Sequence, residues 1–452
     1  MRSFSLLALS LSLAGCAVGP AYERPAMPTP QAYKEGGDWL VAAPADALER
    51  GPWWTLFKDP VLNELITGVE VSNQNLAAAV AAYAQARALV AQQRATLFPT
   101  VSLGLNAERA KDADTRYRFN IGSSWEPDIW GGLRAGASSA QASAQASAAD
   151  LASARLSARG ELAANYFSLR ALDAQKALLA TTVEGYRRVQ EITRNRFNAG
   201  IAAKSDVLQS QTQLANAQID ALNLERQRAQ LEHAIAVLLG KTPADFTLAP
   251  APWTVTVPLI PAGLPSTLLQ RRPDIAAAER RVAAANAQIG VARAAYFPSL
   301  TLSASDVSAA SRIGDLFKAS NAVWSLGASL AENVFNAGAT GARVDAAHAA
   351  HQAAVARYRQ SVLSAFADVE NQLAGARALG AQQELRRSAS EAADQVEAQM
   401  LNRYRAGQVS YTEVVTAQAT ALSARRALVQ AQVDHQNTAV AMIQALGGGW
   451  HE

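Results

Sequence analysis

A single cysteine, four methionines and few aromatic residues set the first limits on this 452-residue chain. One cysteine has nothing to pair with inside the chain, which excludes a disulfide scaffold. Charge is sparse as well. Only 17% of residues are charged, and the formal net charge of +3 is too weak to point to nucleic acid. Half of the residues are hydrophobic, which at so low a net charge excludes a disordered chain. After residue 14 no apolar run approaches the roughly 20 residues that a spanning helix needs, so a helical-bundle membrane protein is excluded. There is no glycine-rich phosphate loop, no zinc-ligand spacing and no catalytic triad, so an envelope enzyme lacks a supporting constellation. His348 and His351 stand three residues apart, but no cysteine or carboxylate cluster accompanies them, and a solvated helix face explains them better than a metal. Four methionines argue against a soft-metal path. No metal and no cofactor are expected.

Proline is also missing where it matters. None lies between Pro127 and Pro243, and none follows Pro298. Stretches of that length suit very long helices. What fills them is alanine, about 100 residues in all, several times the share of an ordinary globular domain. Small side chains favour closely packed helices over a bulky core.

The amino terminus reads as an address. Arg2 precedes an apolar stretch over residues 4–14, too short to span a membrane and typical of a signal peptide. Leu13-Ala14-Gly15-Cys16 resembles the bacterial lipobox, which implies removal of residues 1–15 and a covalent lipid, palmitate included, on Cys16. Such a lipid would anchor the mature chain to a membrane. Ala17 stands where the resemblance would read an aspartate as an inner-membrane retention signal, so the outer membrane is expected. Residues 16–50, with Pro25, Pro28 and Pro30, form an extended lipidated tether.

The rest of the chain is written twice. Residues 76–103 and 275–302 align without gaps at an offset of 199, matching Ala77, Ala84, Ala88, Arg94, Phe98 and Pro99 among others. Residues 196–208 and 403–415 correspond at an offset of 207, and both halves run on to Leu-Gly, at Leu239-Gly240 and Leu446-Gly447. Two matched blocks in one order indicate duplication. The first repeat is placed at 51–242, a proline-rich linker or equatorial belt at 243–273, and the second repeat at 274–452.

Each repeat reads helix, strand, strand, long helix, helix. The strand pairs fall at about 100–127 and 299–332. Val101, Leu103 and Leu105 alternate with Ser102, Gly104 and Asn106, and Trp324, Leu326 and Leu330 alternate with Val323, Ser325 and Ser329. Period 2 puts each set on one face. Strands near ten residues with one apolar and one polar face are the outer-membrane barrel signal, with a soluble sandwich as the alternative. Four strands cannot close a barrel, and an open edge in lipid would leave backbone groups unpaired at several kcal/mol each. Membrane strands therefore require several chains in one barrel. After the first pair, residues 134 to about 196 would make a helix of roughly 90 Å. Leu162, Leu169, Leu172, Leu179, Val183 and Tyr186 form its coiled-coil seam. The helices turn at Ala199-Gly200 and Ala406-Gly407, where glycine can take the left-handed cap conformation.

On these residues the chain resembles the outer-membrane factor family, the TolC-like efflux lipoproteins of the NodT and OprM type. Carrying the resemblance are Cys16 to Pro20, Trp53-Trp54 before Phe57 and Asp59-Pro60, Arg271-Arg272-Pro273-Asp274-Ile275, Ile289-Gly290, Phe297-Pro298 and the two tips. It implies a mainly α chain with a membrane β-barrel. Three chains would share twelve strands, four from each protomer, above a long periplasmic α-helical barrel. It implies a homotrimer set among outer-membrane lipids, a periplasmic adaptor, and an inner-membrane transporter of the resistance-nodulation-division type. The protein would be a passive conduit and not an enzyme. Transported substrate is not readable.

Arg196, Gly200, Arg403 and Gly407 match the family's adaptor-contact tips, although capping explains the two glycines equally. Asp206 and Glu413 open the returning helices, where a helix N-terminus stabilises acids as readily as a charged ring would use them. Where relatives carry Asp-Ala-Gln-Arg, this chain has Thr416-Ala417-Gln418-Ala419. Pore closure is therefore expected to rest on Tyr411, Glu413 and Arg403, with Asp206 nearby. A periplasmic coiled-coil lipoprotein with a structural or adaptor role is the competing reading. It accounts for Cys16 and the helices but not for the four alternating strands.

Overall fold

The computed structural model describes residues 18–35, 52–112, 114–258, 260 and 271–448, so Cys16 and the signal sequence lie outside the described residues. The elements run α1 (Pro60–Ser72), α2 (Gln74–Ala95), β1 (Thr100–Glu108), β2 (Arg116–Trp125), α3 (Gly132–Asn198), α4 (Lys204–Leu238), α5 (Pro273–Ala294), β3 (Ser299–Ala310), β4 (Ala322–Ala331), α6 (Ala339–Arg405) and α7 (Tyr411–Ala445). Apart from α1, which has no counterpart among the described residues of the second half, the order repeats across the two halves. α3 and α6 are each 67 residues long, and α4 and α7 are each 35.

The chain forms two compact units, each drawing on both halves. One comprises Met1–Pro28, Val80–Asp150 and Asp274–Ser361. Its centre is a four-stranded antiparallel sheet in the order β1-β2-β3-β4. The central β2–β3 ladder joins the two repeats, from Tyr117↔Ala310 to Trp125↔Leu302. Proline ends the helices that feed the sheet, and a tryptophan side chain bonds the backbone at or near each proline. Trp125 Nε1 donates to the Leu97 carbonyl at 3.0 Å, and Trp130 Nε1 to that of Pro298 at 2.8 Å. Trp130 stacks on Phe297 with centroids 4.7 Å apart. Asp128 then starts α3: its carboxylate accepts from the Leu133 and Arg134 amides at 2.9 and 2.8 Å, satisfying donors that a helix start leaves open.

The same unit holds the first described residues of the tether. Val18 N donates to the Trp130 carbonyl at 3.3 Å, and Asn286 Nδ2 to that of Pro20 at 3.0 Å. The Tyr22 hydroxyl donates to Glu279. Gly19 lies on Gly290, and a Cβ on Gly19 would come within 3.0 Å of the Gly290 Cα. Two backbones can touch this closely only where neither residue has a side chain.

The second unit comprises Thr29–Ala79, Leu151–Pro273 and Val362–Glu452. Its aromatic core explains the Trp-Trp motif. Trp53 is buried, packs edge-on against Trp54 and Phe57, and Phe57 meets Phe167 at 4.9 Å. Asp59 caps α1 by accepting from the Val61 and Leu62 amides, and its other oxygen accepts from the Tyr166 hydroxyl at 2.7 Å. Asn73 splits the first helical stretch in two. Its amide closes α1 on the Val69 carbonyl, its Oδ1 accepts from Leu76 N, and its Nδ2 donates to the Leu238 carbonyl. That junction has no signature in the hydrophobic pattern.

The coiled-coil seam of α3 is the buried one. Leu162, Leu169, Leu179 and Tyr186 are buried, and Leu172 and Val183 pack beside them against Ala217 and Leu224 of α4. A charged knot ties the linker to this helix pair. Arg170 and Asp173, each 4% exposed, pair at 3.1 Å, and Arg228 Nε reaches the second Asp173 oxygen at 2.7 Å. Arg170 also donates to the Ala249 carbonyl at 2.8 Å, Arg228 to that of Leu248, and the Leu248 amide donates to Glu232. Further along, Trp253 Nε1 donates to Gln436 of α7 at 3.1 Å. The described part of the belt is thus strapped to helices by its backbone carbonyls. Arg272 of the Arg-Arg-Pro-Asp motif donates to the Ala445 carbonyl and to Asp368, both at 3.1 Å, while Pro273 opens α5.

Candidate functional site

The sheet is two-faced, and the register sorts its residues without exception into two sets. Leu103 pairs with Ile121, Ile121 with Asp306, and Asp306 with Trp324, so these share one face. Leu105, Phe119, Leu302, Leu326 and Leu330 lie on it too. Most of these large side chains are exposed in the protomer, Leu326 by 75% and Leu105 by 64%. The other face holds Ser102, Asn120, Ser303, Ser305, Ser325 and Ser329, with Arg118 and Arg116 near the β1–β2 turn. One carboxylate, Asp306, breaks the apolar face. It lies four residues from the loop end of β3, close to the middle of the strand. β1 and β4 each leave one edge without a strand neighbour among the described residues. Edges of 9 and 10 residues beside such an apolar face invite pairing with another chain.

α3 and α6 each end in a hairpin turn, and both turns are built alike. Gly200 and Gly407 have φ of 75° and 74°. Gly200 N donates to the Phe197 carbonyl and Ile201 N to that of Arg196, while Gly407 N donates to Tyr404 and Gln408 N to Arg403. These are paired Schellman caps. Nothing lies within 4 Å of a Cβ built on either glycine, so both backbones are open on the outside of the turn. Gly240 and Gly447 end the returning helices by the same bond pattern, so the duplication is visible at the ends of all four helices of the two hairpins.

Arg196 joins the two turns. Its guanidinium lies over the Tyr404 ring at 4.8 Å and donates to the Tyr404 carbonyl at 2.9 Å and to that of Arg405 at 3.4 Å. Tyr404 packs against Tyr411 at 5.4 Å within a buried cluster with Val189 and Val414, and its hydroxyl reaches Thr193 Oγ1. Tyr411 is 2% exposed, and burial, with Tyr404, Tyr186 and Asp206 close by, pushes its phenol above the ordinary range. Glu413 is occupied at the start of α7, where it accepts from the Ser410 amide at 2.8 Å. Arg403 is exposed. Asp206 is half-buried at the start of α4, near Tyr411. The structure thus brings Arg196, Tyr411 and Asp206 to one tip cluster. It gives Glu413 a capping role and leaves Arg403 on the surface. His348 lies 3.3 Å from Arg293 Nη2, so a cationic neighbour already faces one of the two histidines.

The chain matches the outer membrane efflux protein family over residues 65–241 and 264–448. The chain belongs to that family. It is 33% identical over 467 residues to the pyoverdine export outer membrane protein OpmQ of Pseudomonas aeruginosa, covering all of this chain and 97% of that one. It is also 33% identical over 470 residues to the toluene efflux pump outer membrane protein TtgI of Pseudomonas putida, with 99% and 98% covered. Among solved structures, the outer-membrane channel OprN superposes with a TM-score of 0.88 at 30% identity, covering 96% of this chain and all of that one. The open state of the MtrE outer membrane channel of Neisseria gonorrhoeae gives 0.84 at 28% identity, with 96% and 98% covered.

For this outer membrane efflux protein, sequence reasoning missed Tyr404 and Thr193 as partners of the tip residues. Tyr404 lies in the Arg-Tyr-Arg segment, at the aromatic position that the two repeats share, but its partner Arg196 is 208 residues away. Arg196→Ala is expected to lose a cation–π contact of about 0.5–2 kcal/mol and charge-assisted bonds to two carbonyls of about 1.5–3 kcal/mol. The tip should loosen while the rest of the fold stays intact. Limited trypsin digestion, reading cleavage at the exposed Arg403, should run several times faster in the variant. Arg196→Lys should restore only part of the protection, because an ammonium cannot span both carbonyls while stacking.

Proposed function

We propose that this chain is the outer-membrane channel of a tripartite efflux or export system, a passive trimeric conduit that carries small molecules from a periplasmic adaptor and inner-membrane pump to the exterior. One observation carries the proposal: a four-stranded sheet with one apolar face, one polar face and, among the described residues, two unpaired edges. No described helix is long and apolar enough to cross a membrane. Four strands close no barrel, whereas three chains sharing twelve satisfy every edge and leave the polar faces around a lumen.

The tether supports an anchor on Cys16. Val18 to Tyr22 lie along α5, beside the junction of helix and strand, and a lipid two residues earlier would enter the membrane next to the barrel's lower rim. The open backbones at Gly200 and Gly407, with Arg403 exposed beside them, suit contact with an adaptor. Closure would rest on the Arg196 lash and on the Tyr404–Tyr411 packing behind it. Asp206 and Arg403 would pair between protomers, while Tyr411 and Glu413 would position the start of α7. The transporter partner would be of the resistance-nodulation-division type. The chain conducts and does not convert. Pyoverdine and toluene, for which two of its relatives are named, differ chemically, which fits selection by the pump partners.

Purified full-length protein added to a planar lipid bilayer should give discrete conductance steps, and the Arg196→Ala variant should spend more time open. A water-soluble monomer without conductance would leave only the coiled-coil lipoprotein reading.

A further inference from the structure

The polar face of the sheet carries its charge at one end only. Glu108, Arg116 and Arg118 occupy the last rungs before the β1–β2 turn. The other polar-face positions down to the helices, such as Asn120, Gly122 and Ser124 in β2 and Ser303 and Ser305 in β3, are uncharged. Glu108 stands directly across from Arg116 and offsets it. Arg118 stands between Asn106 on one side and Ala309 on the other, with no acid on either rung. It is exposed, and it is the deepest charge on this face.

We propose that Arg118, backed by Arg116, forms an anion-attracting ring at the channel's outer mouth, so that the permeants this exit favours are anionic or carry an anionic group. The proposal rests on the trimeric-channel reading above. Twelve strands about 4.8 Å apart and tilted by about 40° enclose a barrel roughly 12 Å in backbone radius. An arginine reaches about half of that distance inward, so guanidinium groups from three chains would leave no point of the cross-section beyond a Debye length of about 10 Å. Rings of arginine or lysine are the ordinary device for anion-selective pores. The neutral serine and asparagine rungs beneath add no opposing charge, so the ring dominates the field of the exit. Asp306 carries the opposite sign, but it projects from the other face.

The test isolates the mouth from the tips. A cysteine at Asn120, one rung deeper than Arg118, is modified from outside intact cells by methanethiosulfonates of similar size, one bearing a sulfonate and one a trimethylammonium group. The ratio of their rates, divided by the same ratio for a small free thiol, reports the local potential and cancels any change in thiol reactivity. With Arg116 and Arg118 present, the anionic reagent should be favoured by about 3- to 10-fold, the low end of what a charged cleft achieves. In Asn120→Cys with Arg116→Gln and Arg118→Gln the preference should fall to about one, and with Arg118→Glu it should reverse. The parent chain measures background from Cys16, and heat-modifiable migration confirms that each variant assembles. A preference unchanged by removing both arginines overturns the proposal. Failure of both reagents to reach Asn120→Cys in an assembled protein means that the polar face lines no water, and the channel reading fails with it. Leu103→Cys, on the apolar face, should resist both reagents throughout.

Discussion

Replacing Leu326 by arginine is expected to abolish accumulation of the assembled protein in the outer membrane, while Ser325→Arg, one residue away, leaves it assembled. Both positions lie at the middle of β4. Leu326 shares the apolar face with Ala304 across the ladder, and Ser325 shares the polar face with Ser305, whose hydroxyl it meets at 2.9 Å. A charge on the lipid face at the bilayer midplane costs about 2–4 kcal/mol, and an assembly of identical chains incurs that cost in every protomer. The same charge facing a water-filled lumen keeps its hydration. Outer-membrane fractions separated with and without heating would show the difference as loss of the slow-migrating band in Leu326→Arg alone. Equal tolerance of both substitutions would mean that the two faces have been assigned wrongly.

The second large effect concerns the helices. Asp173→Ala is expected to cost about 3–5 kcal/mol, the cost of leaving a buried ion pair without one partner. Here a single carboxylate serves two guanidinium groups, Arg170 and Arg228, with Asp173 and Arg170 almost completely buried. Its loss leaves two positive charges side by side. It also loosens the grip of both arginines on the Leu248 and Ala249 carbonyls, and so detaches the belt. Thermal unfolding followed by circular dichroism should show a clear drop in midpoint. Asp173→Asn, which keeps the shape and one acceptor, should fall between the variant and the parent.

These two sites mark what could and could not be read beforehand. The strands declared themselves, because alternation over ten residues bounded by Phe-Pro and polar turns leaves few other interpretations. The long helices followed from missing proline, and the seam Leu162 to Tyr186 followed from spacing alone. The helix-end glycines were visible as a repeated Leu-Gly and Ala-Gly. The Arg170–Asp173–Arg228 knot was not visible, since its targets are backbone carbonyls of the belt, and carbonyls have no letter in a sequence. Arg196 was singled out as a tip residue, but its ring partner Tyr404 comes from the other repeat. The β2–β3 ladder was hidden for the same reason: it joins the two copies, and a comparison of the copies with each other contains no trace of how they meet. Asn73 breaks a helix through three hydrogen bonds that its neighbours' hydrophobicity does not report.

The central claim is that one chain supplies only a third of a closed membrane barrel. Native mass spectrometry of the full-length protein, released from detergent micelles after extraction from outer membranes, tests it most directly. The mass of three mature chains is the predicted result, with lipid on each. A single chain as the dominant species would contradict the account, because the free edges of β1 and β4 would then have to survive in lipid unpaired.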